Sequence, residues 1–119
     1  MGWLMARSHG TKTTTRGLVK ILLITNGGMS SALLVKKMEE SGGTRGLQVK
    51  VVEMSAEEAR QVLADHDVVL IAPQVRFEQS SIEVMASPLG IPVGTIDVKV
   101  YAAMDGGAVV QQAQALLQG

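Results

Sequence analysis

The chain has 119 residues, enough for one domain with its own core; 46% of them are hydrophobic and only 3% aromatic. Its eleven basic and eleven acidic side chains cancel, which removes the positive excess that a nucleic-acid surface needs, so no nucleic acid is expected among its partners. It has no cysteine and only two histidines, His9 and His66; disulfides, thiolate or histidine-rich metal sites and a thiol nucleophile are excluded, and no metal or other cofactor is expected.

Residues 1–17 lack hydrophobic periodicity and carry a Thr-Lys-Thr-Thr-Thr-Arg stretch. They read as a disordered tail, in part an expression remnant around Ala6 to Gly10. They contain no continuous apolar region of the kind a signal peptide needs, and nowhere does an apolar run reach the length of a membrane span, so a cytoplasmic location is expected. Residues 18–119 are expected to form the domain.

Val19 to Thr25 is a short apolar run, as in a strand buried on both faces. Ser30 or Ser31 is placed to cap a helix that runs to about Glu40 and stops at Ser41-Gly42-Gly43. Leu47 to Val52 alternates apolar and polar residues, which predicts a second strand nearer an edge. Ser55 and Glu58 form a capping-box pattern for a helix ending near His66. Asp67 to Ala72 is the third strand, cut off by Pro73; a third helix covers roughly Phe77 to Ala86. Ile91 to Asp97 reads as a fourth strand, and Gly106-Gly107 precede a last helix from Ala108 to Leu117.

Four strands alternating with helices and joined by short connections imply right-handed crossovers: an α/β fold, three-layer α/β/α, with a four-stranded parallel sheet. Order 2-1-3-4 is chosen among the doubly wound options. That order brings the ends of strands 1 and 3 to the switch point, where ligands bind such sheets.

The loop Thr25-Asn26-Gly27-Gly28-Met29-Ser30-Ser31 lies there. Its glycines permit positive φ and close approach of backbone N–H groups to an anion, and the following helix adds its own open amides and dipole. On spacing alone, an anion cradle and a plain glycine turn with a capping serine are about equally supported. The loop is no Walker A motif, since no Gly-Lys-Ser/Thr follows, and it lacks the G-x-G-x-x-G spacing of a dinucleotide site.

The same loop resembles that of the lactose/cellobiose-type IIB components of the bacterial phosphoenolpyruvate-dependent sugar phosphotransferase system, which read Cys-x-x-Gly-Met-Ser-Thr-Ser before an apolar helix. Ala72-Pro73-Gln74-Val75-Arg76-Phe77 is similar to the family's Gly-Pro-Gln-Val-Arg-Tyr. Gly90-Ile91-Pro92-Val93 and Met104-Asp105-Gly106 extend the likeness, which covers about Val19 to Leu117. The resemblance implies a phosphocarrier. It would receive a phosphoryl group from a phosphohistidine on a IIA partner and pass it to a sugar of the β-glucoside or galactoside disaccharide class, bound by the membrane IIC permease, at the inner face of the membrane. It makes position 25 the phospho-acceptor and Asn26, Gly27, Gly28, Met29, Ser30 and Ser31 the phosphate cradle, with Gln74 and Arg76 as further contacts to the partner or the phosphate. A solvated arginine and a loop-bracing glutamine are the bland readings of those two.

The departure from the pattern lies at the acceptor, where the family's cysteine is Thr25. A thiol at a helix N-terminus ionises near neutral pH, whereas an aliphatic hydroxyl needs an adjacent general base to attack. No histidine or acid lies within the loop, so such a base would have to fold in from elsewhere. Two origins of Thr25 stand: replacement of a native cysteine, by design or in cloning, or natural divergence towards a phosphate-sensing or regulatory module that keeps the scaffold. Phosphotyrosine hydrolysis is rejected, because that cradle ends in an arginine where Ser31 stands. His66 is read as a helix-end residue, Asp105 as an N-cap, and Glu39-Glu40 and Glu57-Glu58 as solvated faces.

Overall fold

The computed structural model describes residues 18–119, and the expectation of a disordered tail at residues 1–17 lies outside the described residues. The first apolar run becomes strand β1, Leu18–Ile24, whose Ile21 to Ile24 are fully buried. It pairs in parallel with β2, Gln48–Met54, on one side and with β3, Val68–Ile71, on the other; β4, Val93–Thr95, adds to β3. The sheet is four-stranded and parallel, as the alternation of elements implies, and its order β2-β1-β3-β4 is the one chosen above among the doubly wound options.

Because side chains alternate along a strand, β1 feeds two separate cores. Ile21 and Leu23 pack with Leu34 and Met38 of helix α1, Met29–Thr44, and with Val109, Val110 and Ala113 of helix α5, Gly106–Gln118. Leu22 and Ile24 face the other way, onto Ala56 and Ala59 of helix α2, Ala56–Ala59, and Ile82 and Ala86 of helix α3, Gln79–Ala86. Both faces of the sheet are thus covered, which gives the three layers.

Helix boundaries differ from the sequence reading for identifiable reasons. Gly28, not a serine, stands at the N-cap of α1, and no side chain caps it. Gly42 and Gly43 lie inside α1 instead of ending it; a Cβ on Gly42 would come within 2.4 Å of Val49 Cγ2, so the glycine lets the helix lie close on β2. The chain turns out of α1 at Gly46, where φ is +75°. The capping box at Ser55 and Glu58 forms as expected, but α2 has only four residues: the chain departs from helical dihedrals at Val62 (φ −128°, ψ 17°) before a 3-10 turn at Leu63–Asp65. Pro73–Glu78 is likewise a 3-10 segment, broken at Val75 (φ −120°, ψ 29°), which precedes α3. The short helix α4, Val98–Ala102, was not expected; Asp97 caps it by accepting from Lys99 N at 2.7 Å.

Two smaller features fix the layers. Glu39, read from sequence as solvated, accepts from Val51 N at 2.9 Å and so occupies a main-chain donor of the edge strand β2. Gly106 lies against the backbone of α1, where a Cβ would meet Lys37 C at 2.5 Å. Asp105 caps α5 through Ala108 N at 3.0 Å, as its position suggested.

Candidate functional site

β1 delivers the chain to the end of the sheet at Thr25, which is only 2% exposed. Thr25 is held on both sides of the strand: its own N–H donates to Met54 O at 3.1 Å, and Ala72 N donates to Ile24 O at 2.8 Å. The next residues leave the sheet through two glycines with φ of +89° at Gly27 and +108° at Gly28. A Cβ would meet nothing within 4 Å at either glycine, so conformation rather than space requires them. Gly28, with ψ 163°, occupies a region essentially restricted to glycine. Asn26, Gly27 and Gly28 are exposed, and the first turn of α1, open at its amides by helix geometry, follows at once. The expectations for the Met29 and Ser30 side chains lie outside the described residues.

Ser31 does not cap the helix from outside. It is fully buried within the first turn, and its hydroxyl contacts Gly28 O at 2.7 Å and the Glu53 carboxylate. Thr25 Oγ1 accepts from Gly27 N at 3.0 Å and donates to Glu53 Oε2 at 2.5 Å. One carboxylate oxygen therefore joins the first residue of the loop to the last. The acid that the loop itself lacks comes from β2.

Glu53 escaped the sequence reading, although the signal existed. Val49, Val51 and Glu53 share one face of β2, and the parallel register sets Glu53 opposite Leu23. Two residues beyond Leu23 on the same face stands Thr25. The alternation together with the strand order thus aims Glu53 at the loop.

Tyr101, the single tyrosine of the chain, was also missed. It reaches the core from α4 and is 6% exposed. Burial pushes its phenol above the ordinary value of 10.0; a hydrogen bond with Gln74 opposes that, and the nearby charge of Glu53 adds to it. Gln74 is thereby connected through Tyr101 to the Glu53 end of the sheet, which fits the bracing role. Arg76 turns back on its own segment, where Nη1 donates to Pro73 O at 2.9 Å. Pro73, Gln74, Arg76, Val98, Tyr101, Ala102 and Met104 line a surface cavity of ≈ 410 Å³ beside this group. His66 is remote from it in role: Nδ1 pairs with Val62 O at 2.9 Å, at the end of its own helical segment. Among the described residues no group of acids and histidines could hold a metal ion, and no helix is long and apolar enough to cross a membrane.

A strand, a two-glycine loop and a helix start at the switch point of a β2-β1-β3-β4 sheet narrow the choice of family, and the family model for the lactose/cellobiose-specific IIB subunit of the PTS system matches residues 20–112. The chain belongs to that family. It is 35% identical over 98 residues to the oligo-beta-mannoside-specific EIIB component of Bacillus subtilis (strain 168), covering 82% of this chain and 95% of that protein. It is 30% identical over 102 residues to the galactose-specific EIIB component of Lactococcus lactis subsp. cremoris (strain MG1363), covering 82% and 94%. Among solved structures, the cellobiose-specific IIB component of Borrelia burgdorferi superposes with a TM-score of 0.71 at 31% identity, covering 86% of this chain and 94% of that one. The lactose-specific IIB domain of Streptococcus pneumoniae, with a TM-score of 0.73 and 21% identity over 82% and 96% of the two chains, shares the fold. The IIB architecture expected from the sequence is therefore the observed one.

Proposed function

We propose that this IIB-family chain is a phosphocarrier of a sugar phosphotransferase system, with the Thr25 hydroxyl in the acceptor position. It takes a phosphoryl group from a phosphohistidine on a IIA protein and passes it to a sugar held by a membrane IIC permease. The observation that carries this reading is the loop geometry. Thr25 Oγ1 sits between a buried strand end and two positive-φ glycines, with the uncapped first turn of a 16-residue helix beyond them. A phosphoryl group on Thr25 would meet the N–H groups of Asn26 to Ser31; the helix dipole adds about 0.3–1 kcal/mol per charge, and the aimed amides supply the rest. Gln74 braces Tyr101 behind the site, and Arg76 borders the cavity next to it as a contact for the incoming partner.

The test is transfer of labelled phosphate from phosphorylated IIA. Acid-stable label on the wild type and none on Thr25→Ala is expected. Equal label on both would remove Thr25 from the acceptor position.

A second reading has one observation in its favour. Glu53 already accepts from the hydroxyls of Thr25 and Ser31, so the cradle holds a carboxylate of its own. In a non-catalytic or regulatory module this contact would simply hold the loop closed. Label absent from the wild type but gained by Thr25→Cys would favour that module.

A further inference from the structure

We propose that Glu53 is the general base, and on the return step the general acid, for phosphoryl transfer through Thr25. The inference rests on the phosphocarrier reading above. An aliphatic hydroxyl is too weak an acid to attack phosphorus unaided, and its alkoxide is too poor a leaving group to depart unaided. Both problems need one proton-handling group in contact with Oγ1. Glu53 Oε2 lies 2.5 Å from it.

The arrangement of the cluster points the same way. Ser31 Oγ touches both Gly28 O and Glu53 Oε2, and Thr25 Oγ1 donates to Glu53 Oε2. The Thr25 proton is thus already aimed at the oxygen that is to take it, and Ser31 holds that oxygen in place. Tyr101, buried and with its phenol raised by burial and by Glu53, stays neutral beside it and adds no second charge at neutral pH.

In the forward step Thr25 Oγ1 attacks the phosphorus of the protein phosphohistidine and its proton passes to Glu53 Oε2. The N–P bond breaks, its electron pair stays on the imidazole, and that nitrogen takes a proton from solvent. The new threonyl phosphate then faces a neutral carboxylic acid instead of a carboxylate, so charge repulsion does not oppose it. In the return step a sugar hydroxyl oxygen attacks the phosphorus. The Oγ1–P bond breaks, Oγ1 recovers the proton from Glu53, and the sugar hydroxyl proton is released to solvent. Threonyl phosphate and a sugar phosphate are both alkyl monoesters, so this second transfer is close to balanced in energy.

The experiment is the initial rate of labelling by phosphorylated IIA for wild type, Glu53→Gln, Thr25→Cys and the Thr25→Cys/Glu53→Gln pair. Glu53→Gln is expected to slow the wild type by about a hundredfold or more, the scale of general-base catalysis. On the Thr25→Cys background the same change should cost at least about tenfold less, because a thiol at a helix N-terminus ionises without a base. A Glu53→Gln protein labelled at the wild-type rate, or an equal penalty on both backgrounds, overturns the proposal. Label on Thr25→Cys with none on the wild type overturns the Glu53 step and leaves the IIB scaffold standing. No label on either fails the phosphocarrier reading itself, and the Glu53 step with it.

Discussion

Thr25, just past the end of β1, and Glu53 on β2 meet at 2.5 Å through Oγ1 and Oε2, although 28 positions separate them in the chain. The parallel pairing of Leu23 with Glu53 makes that meeting a matter of register. A one-residue slip of β2 would turn Glu53 to the opposite face. The contact also sets a carboxylate inside the loop proposed here to hold the phosphoryl group. Two unit charges about 5 Å apart near a protein surface interact by about 3 kcal/mol, less where water screens them. Glu53→Gln is therefore expected to bind orthophosphate roughly tenfold more tightly, about 1.4 kcal/mol, while it transfers phosphate more slowly. Amide shifts of Gly27 and Gly28 during a phosphate titration measure this; an unchanged Kd would mean that the anion sits away from Glu53.

The two loop glycines should differ in what they tolerate. Gly27→Ala forces a positive φ of 89° on alanine, at a cost of about 1–2 kcal/mol. Gly28 combines φ 108° with ψ 163°, so Gly28→Ala should cost about 2–3 kcal/mol. Neither adds a clash, since a Cβ would meet nothing within 4 Å. Urea unfolding of both variants checks the ranking, and a Gly28→Ala protein as stable as the wild type would contradict the loop geometry.

Gly106 has the opposite reason for being glycine. A Cβ there would lie 2.5 to 2.7 Å from backbone atoms of Lys37 and Met38, which cannot swing aside as a side-chain tip can. Gly106→Ala should push α5 off α1 and cost about 1–3 kcal/mol, with a Tm lower by about 4–8 °C for each kcal/mol. Thermal unfolding followed by circular dichroism measures it.

Tyr101 gives a pH signature free of interference from any other tyrosine. Its phenol titrates above 10.0 in the folded protein, first because of burial, with Gln74 lowering it and Glu53 raising it. A folded-state value above the unfolded one means that the folded form binds more protons in the interval between them. The stabilising contribution is thus complete below pH 10 and is lost as pH rises through the folded value. Near-UV absorbance should show the midpoint above 10, moved down in Glu53→Gln and up in Gln74→Ala. Tyr101→Phe should lose less stability than the wild type in that alkaline range.

Much of this could be read from the residues because the governing signals are local. Apolar runs at Val19 to Thr25 and Asp67 to Ala72, glycines at the first loop and the capping box at Ser55 each act within a few residues; right-handed crossovers implied the parallel sheet, and its order was the one chosen among the doubly wound options. The errors arise where tertiary contact overrides the local rule. Gly42 stays helical because Val49 needs the room, and Ser31 turns to Glu53 instead of capping α1. The base for Thr25 is nonlocal in the same way: no window around residue 25 contains Glu53, and only register and strand order bring it there.

The central claim is that Thr25 itself carries the phosphoryl group, and mass spectrometry of the peptide that contains it tests this most directly. After brief incubation of the wild type with phosphorylated IIA, fragment ions should place one added phosphoryl group on Thr25. Exhaustive incubation that leaves Thr25 unmodified, or puts the group on Ser30 or Ser31, would contradict the account.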